Sequence, residues 1–200
     1  TLTVTAGSTL ALAVGNYLNG IVTGIADTQS NTWVFADTMT SGFMVCETWY
    51  VAVAAAGSTT ITVTFDASCT FRNVHVHEIS GTSATPLDKI SQATGNSAGS
   101  VTPSTDGQYI FGHSFNDAAA NMGAGSGFTE QTNGVSYIGS NSVNAIQTTA
   151  AAVNVTVTGG DGTQITSAVT FKPSAGGVTT EYVGPIYRQT YSPMIGRRYV

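Results

Sequence analysis

Residues 58–66 read STTITVTFD. Ile61, Val63 and Phe65 fall on one side of an extended chain, and Thr60, Thr62 and Thr64 on the other. This period of two predicts a half-buried strand. Related runs occur at 9–14, 21–26, 32–36, 45–54, 74–79, 109–115, 135–138, 153–158 and 164–171. Turn-forming pairs separate them: Gly15-Asn16, Asn19-Gly20, Ser41-Gly42, Ala56-Gly57, Asp106-Gly107, Asn133-Gly134 and Gly159-Gly160. About ten short strands at this spacing predict an all-β, antiparallel β-sandwich. No helix stands out. The Ala-rich stretches 52–56 and 150–152 are flanked by β-branched residues and glycine, and 117–127 (DAAANMGAGSG) reads as a flexible loop or one short turn. No internal repeat of fixed period is visible.

The composition narrows the function classes. The 200 residues suffice for one large β domain. Only 8% are charged, against about 25% in an ordinary domain, so Thr, Ser, Asn and Gly must keep the surface wet. A charge-poor surface suits dense packing against neighbours and also an extracellular protein. The net charge of −5 and the absence of a basic cluster on the body speak against nucleic acid as a partner. No apolar run approaches the ~20 residues that span a bilayer, so no membrane partner is expected. The start, Thr1-Leu2-Thr3-Val4-Thr5, lacks the basic and apolar regions of a signal peptide; it fits either a leader already removed or the loss of an initiator Met. Cys46 and Cys69 match no zinc or redox spacing and are expected as buried thiols.

Catalytic chemistry finds little support. A nucleophile needs a base and an orienting group, and the chain has three histidines, His75, His77 and His113, with no nucleophile elbow. His75 and His77, two apart on one predicted strand, share a face as two metal ligands must, with Glu47, Glu78 or His113 as possible completions. Two sheet-packed histidines are the expected reading, and neither a metal nor another cofactor is assigned. The acids are scattered, so no glycosidase pair emerges. The loops at 27–31 and 160–162 are candidates for a structural calcium but lack a full oxygen-rich motif. Trp33, Trp49 and Tyr50 are candidate ligand-binding platforms for a glycan. Because Trp49 and Tyr50 are adjacent on a strand, one is expected in the core and the other exposed.

The composition changes at Pro173. A sandwich domain over 1–173 is followed by a segment, 174–200, that loses the alternation. It holds three of the six basic residues, one of the eleven acids, four of the eight tyrosines, and Pro185 and Pro193. An extended Tyr/Arg-rich C-terminal arm on an acidic body is the expected assembly element, because Tyr and Arg are enriched at interface hot spots and proline-spaced segments lose less entropy on docking. The candidate interface residues are Tyr182, Tyr187, Arg188, Tyr191, Arg197, Arg198 and Tyr199. A tail that folds back on its own sandwich and a frayed terminus are the alternatives.

The order of several short segments resembles a jelly-roll-like module family of phage virion proteins and bacterial surface, adhesin-like proteins. The resemblance runs from Gly7 to Pro173. It rests on the entry strand GSTLALAV from Gly7; on Asp27-Thr28-Gln29-Ser30-Asn31-Thr32-Trp33, where Ser30 replaces the glycine of the family's turn; and on Glu47-Thr48-Trp49-Tyr50 and Gly57–Phe65. It continues through His77-Glu78-Ile79-Ser80-Gly81, Asp106–Gly112, Gly125–Thr129 and the closing Ala168-Val169-Thr170-Phe171-Lys172. The family implies a jelly-roll-like sandwich without a known catalytic site. Together with the arm, it leads to the expectation of a non-enzymatic virion structural protein, a head decoration or a tail or fibre component. Such a protein would associate with copies of itself or with other virion proteins. The alternatives are an extracellular or cell-surface module binding glycans, and a secreted filament subunit.

Overall fold

A computed structural model of the chain describes residues 2–118, 120–135, 139–160 and 163–177. Among these are sixteen strands, all paired antiparallel, and no helix. Two sheets form the body. The four-stranded sheet runs β4 (Val34–Ser41), β5 (Met44–Val51), β2 (Thr9–Tyr17), β8 (Thr70–Ile79). The five-stranded sheet runs β13 (Thr129–Val135), β14 (Gly139–Gln147), β11 (Gln108–Asn116), β16 (Gln164–Pro173), β9 (Thr82–Thr94). Three smaller sheets accompany them: β1 (Leu2–Val4) with β6 (Gly57–Thr59), β3 (Val22–Asp27) with β7 (Ile61–Phe65), and β10 (Ser97–Val101), β15 (Val153–Thr158), β12 (Gly123–Ala124).

The expected all-β sandwich is present, and it is thicker than two layers. Ala11, Ala13, Met44, Cys46, Phe111, Phe115, Val169 and Phe171 pack between the two large sheets. Leu10, Leu12, Val14 and Val76, on the other face of the four-stranded sheet, pack against Leu2, Val4, Val22 and the β7 residues Ile61, Val63 and Phe65. Ile110, Val143 and Ala168, on the outer face of the five-stranded sheet, meet Ala98, Val101, Val155 and Val157. Both large sheets are therefore covered on both faces. Complete burial of Phe111, Phe115 and Phe171 contributes about 1.5–3 kcal/mol each.

This layering explains what the sequence reveals and what it hides. β7 alternates half-buried and exposed residues because it belongs to a cover. β2 and β11 are buried along nearly their whole length and show no alternation by burial. Close packing is sharpest at Gly15, where a β-carbon would lie 2.0 Å from the Phe115 ring, and at Gly112, where it would lie 2.6 Å from Val155 and 2.7 Å from Val143.

Three expectations need revision. The longest strand, β9, was not anticipated, because Pro86, Asp88 and Lys89 interrupt its pattern; it lies at the sheet edge and its register shifts around Leu87, where proline is tolerated. β14, GSNSVNAIQ, was likewise absent from the expected runs, and it is buried from Gly139 to Val143. Within 117–127, expected as a loop or a turn, Gly123 and Ala124 pair with Thr158 and Val157, and Ala120 and Met122 are buried. Both cysteines are free and buried. Strand β16 ends at Pro173. The candidate interface residues Tyr182, Tyr187, Arg188, Tyr191, Arg197, Arg198 and Tyr199 lie outside the described residues.

Candidate functional site

The turn from Asp27 to Trp33 is built around one carboxylate. Asp27 Oδ1 accepts the backbone N–H groups of Gln29 (2.9 Å) and Asn31 (3.2 Å), and Oδ2 accepts Asn31 Nδ2 (3.1 Å) and Trp33 Nε1 (2.8 Å). Partial burial raises the Asp27 pKa, but these four donors outweigh it and hold the carboxyl below its ordinary value. All four lone-pair directions are taken by protein N–H groups, which removes the reason to place calcium on this loop. Ser30 has φ 57°, in the left-handed region that glycine adopts most readily. The turn keeps the conformation of a glycine turn with a serine in it.

The same turn forms one wall of an open groove of about 540 Å³. Gln29, Ser30, Asn31, Thr32 and Val34 line one side, and the segment from Val51 to Ala55 lines the other. Asn31 ties the walls together, since its Oδ1 accepts the Ala55 N–H at 2.8 Å. No lining residue is charged. Val34 and Val53 are exposed, Val53 by 59%. The sequence gives little sign of this groove, because its second wall is the plain stretch VAVAA.

The three candidate platforms do not converge. Trp33 and Trp49 are half-buried in the layer under the β3–β7 cover, and each indole N–H is engaged: Trp33 with Asp27, Trp49 with Glu47 Oε2 at 3.1 Å. Tyr50 points to the opposite face, half-buried against the inner core and 6.1 Å from the Phe171 ring. The expectation that one of Trp49 and Tyr50 is core and the other exposed is corrected: both faces of the sheet are covered, so both are half-buried. Phe35, on β4, is 47% exposed and packs edge-on against Trp49 at 5.2 Å, and Phe43, in the β4–β5 turn, is 59% exposed.

His75, His77 and His113 meet between the large sheets, each no more than 2% exposed. His77 Nδ1 is 2.8 Å from Tyr109 Oη and its Nε2 is 2.9 Å from Ser142 Oγ. His113 Nε2 is 2.8 Å from Thr48 Oγ1 and its Nδ1 is 3.4 Å from Cys46 Sγ. A neutral imidazole offers one donor and one acceptor, and each of these rings bridges two groups that can play the complementary roles. Burial lowers the pKa of His75 to about 4. For His77 and His113, burial and then the neighbouring imidazoles lower it to about 3. Burial, with the nearby carboxyls of Glu47 and Asp37, raises the Cys46 thiol well above its usual value, which disfavours the reactive thiolate. Glu47 and Glu78 do not join the imidazoles. Glu47 Oε1 accepts the Val22 N–H (2.8 Å), and Glu78 Oε1 accepts the Thr5 N–H (2.7 Å) and Ser8 Oγ–H (2.8 Å), both on the outer face of the sheet. Among the described residues, no group of three or more His, Cys, Asp or Glu is placed to hold a metal ion, and no helix is long and apolar enough to cross a membrane.

No family model, no curated protein and no solved structure matches the chain.

Proposed function

We propose that the chain is a non-enzymatic structural protein of a phage virion, a head decoration or a tail or fibre component, and that it assembles through its C-terminal arm. The observation that carries this reading is the contrast between a charge-poor, fully layered sandwich and the Tyr/Arg segment that follows β16. The body contains Arg72, Lys89 and Lys172 as its only basic residues beside ten acids, and the arm contains Arg188, Arg197 and Arg198 beside one acid. Complementary charge steers association, and buried tyrosine area stabilises it. The burial of the histidine cluster supports a structural role for its polar groups, and the internal engagement of both indole N–H groups weighs against the glycan-binding alternative.

The test is the mass in solution of the full chain beside a chain ending at Gly177, which retains every described strand and the Ser174 N–H to Gly81 O bond (2.7 Å). The full chain is expected to form oligomers, and the shortened one to be a folded monomer. Equal assembly of both removes the arm from the mechanism.

A further inference from the structure

The groove between the Asp27 turn and the 51–55 segment lies at the end of the sandwich from which the arm departs. Three hydrogen-bonding steps establish this. Pro173, the last residue of β16, pairs with Thr82, and Ser174 N–H bonds to Gly81 O. Thr82 Oγ1 is 2.6 Å from Thr9 Oγ1. Thr9 Oγ1 in turn donates to the carbonyl of Ala52, a groove residue, at 3.0 Å. The adjacent Ser8 carbonyl accepts the N–H of Ala54, another groove residue, at 2.8 Å. The chain thus leaves the body about two side chains away from an open groove with an exposed valine on each wall.

We infer that this groove is the acceptor site for residues 178–200 of a second copy of the chain. The inference deepens the assembly reading above and rests on it. The 23 residues after Gly177 reach up to about 75 Å when extended, so length does not limit exchange between copies. The chemistry is matched. The groove lining is uncharged and includes Val34, Val51, Val53 and Ala54, a surface for tyrosine and proline. No lysine or arginine lines the groove, so nothing there repels the three arginines of the arm.

The shared end favours reciprocal exchange. Because the donor segment and acceptor groove of one copy lie at the same end, two copies facing each other there can exchange arms both ways, a closed two-fold arrangement, whereas a one-way exchange closes only if the rotation it imposes closes. The expected product is a discrete oligomer, a small multiple of 20.5 kDa, and not a filament.

The test uses the full chain with a photo-crosslinking residue in place of the exposed Val53, in a mixture of heavy- and light-isotope copies, followed by mass spectrometry. Crosslinks from position 53 to peptides of residues 178–200 of the other isotope support the inference. So does a loss of oligomer of tenfold or more in affinity in a Val53→Glu full chain that keeps the urea midpoint of the parent. Crosslinks to 178–200 only within one copy overturn the exchange. If position 53 never reaches 178–200 while deletion of those residues still dissolves the oligomer, the groove is the wrong acceptor and arm-driven assembly stands. A full chain that is monomeric overturns both. Open-ended growth overturns the closed geometry.

Discussion

The layer between the two large sheets and the layer beneath the β3–β7 cover bury polar groups in opposite ways. In the inner layer, imidazoles, hydroxyls and a thiol bond side chain to side chain across the sandwich, as in His77 with Tyr109 and Ser142. The fully buried side chains of the outer layer are mostly leucine and valine, and Glu47 and Glu78 accept N–H groups of the cover strand and the N-terminal segment. The first arrangement sets the register between two sheets, because the bridging imidazoles of His77 and His113 meet their partners at only one alignment. The second fastens a thin cover onto a sheet that is already formed. The sandwich is keyed from within and clasped from outside.

Acid should break the comparison most strongly. The inner imidazoles are neutral in the folded protein down to pH about 3 to 4, whereas the unfolded chain protonates them near 6.5. Between these values the unfolded state binds more protons, so stability falls as pH falls, by up to about 1.4 kcal/mol per imidazole per pH unit. Glu47 has the opposite sign: burial raises its pKa, so its contribution grows on acidification. With three imidazoles against one carboxyl, the urea midpoint is expected to drop steeply from pH 7 to pH 5. A flat profile over that window contradicts the neutral buried cluster.

Glycine substitutions probe the two faces by volume. Gly15→Ala places a methyl 2.0 Å from the Phe115 ring in the inner layer, and Gly112→Ala places one 2.6 Å from a Val155 methyl on the outer face. Overpacking costs about 1–3 kcal/mol and occasionally more. Gly15→Ala is expected at or above the upper figure and Gly112→Ala nearer the lower, measured by urea unfolding at pH 7. Equal losses would mean that the two faces yield alike.

The smallest effect is expected at the cover. Ser30 occupies a left-handed conformation that costs a non-glycine residue roughly 1–2 kcal/mol, part of which glycine returns through its greater freedom when unfolded. Ser30→Gly should therefore stabilise by about 0.5–1 kcal/mol. A destabilisation in thermal unfolding would show that the Ser30 side chain contributes something beyond the turn.

The sequence made the covers legible and obscured the centre. Residues 61–65 alternate because one side faces water. β2 and β11 were found as apolar runs, but nothing in their spacing told that a further sheet lies on each. The histidines were readable as sheet-packed because a spacing of two shares one face, while His113 could join them only through tertiary pairing, 36 residues after His77. The turn Asp27–Trp33 was visible as a motif. Its groove was not, since Val51, Ala52 and Val53 carry no signal of their own and gain one only opposite Asn31. The expectation that one of Trp49 and Tyr50 is exposed failed because exposure was inferred from one strand, without the cover over Trp49.

The placement of β16 has a consequence for time. It sits inside the five-stranded sheet, between β11 and β9, and its partners were made some 50 to 90 residues earlier. Such closures are entropically slow, and sheets of this kind form in milliseconds to seconds or longer. Until β16 is seated, β9 and β11 present open edges, the state in which strand proteins aggregate. Insertion of β16 therefore ends the vulnerable interval, and only that event brings the segment after Pro173 to the rim of the groove. On the assembly proposed above, a newly made copy would thereby be withheld from its neighbours until its own sheet is complete.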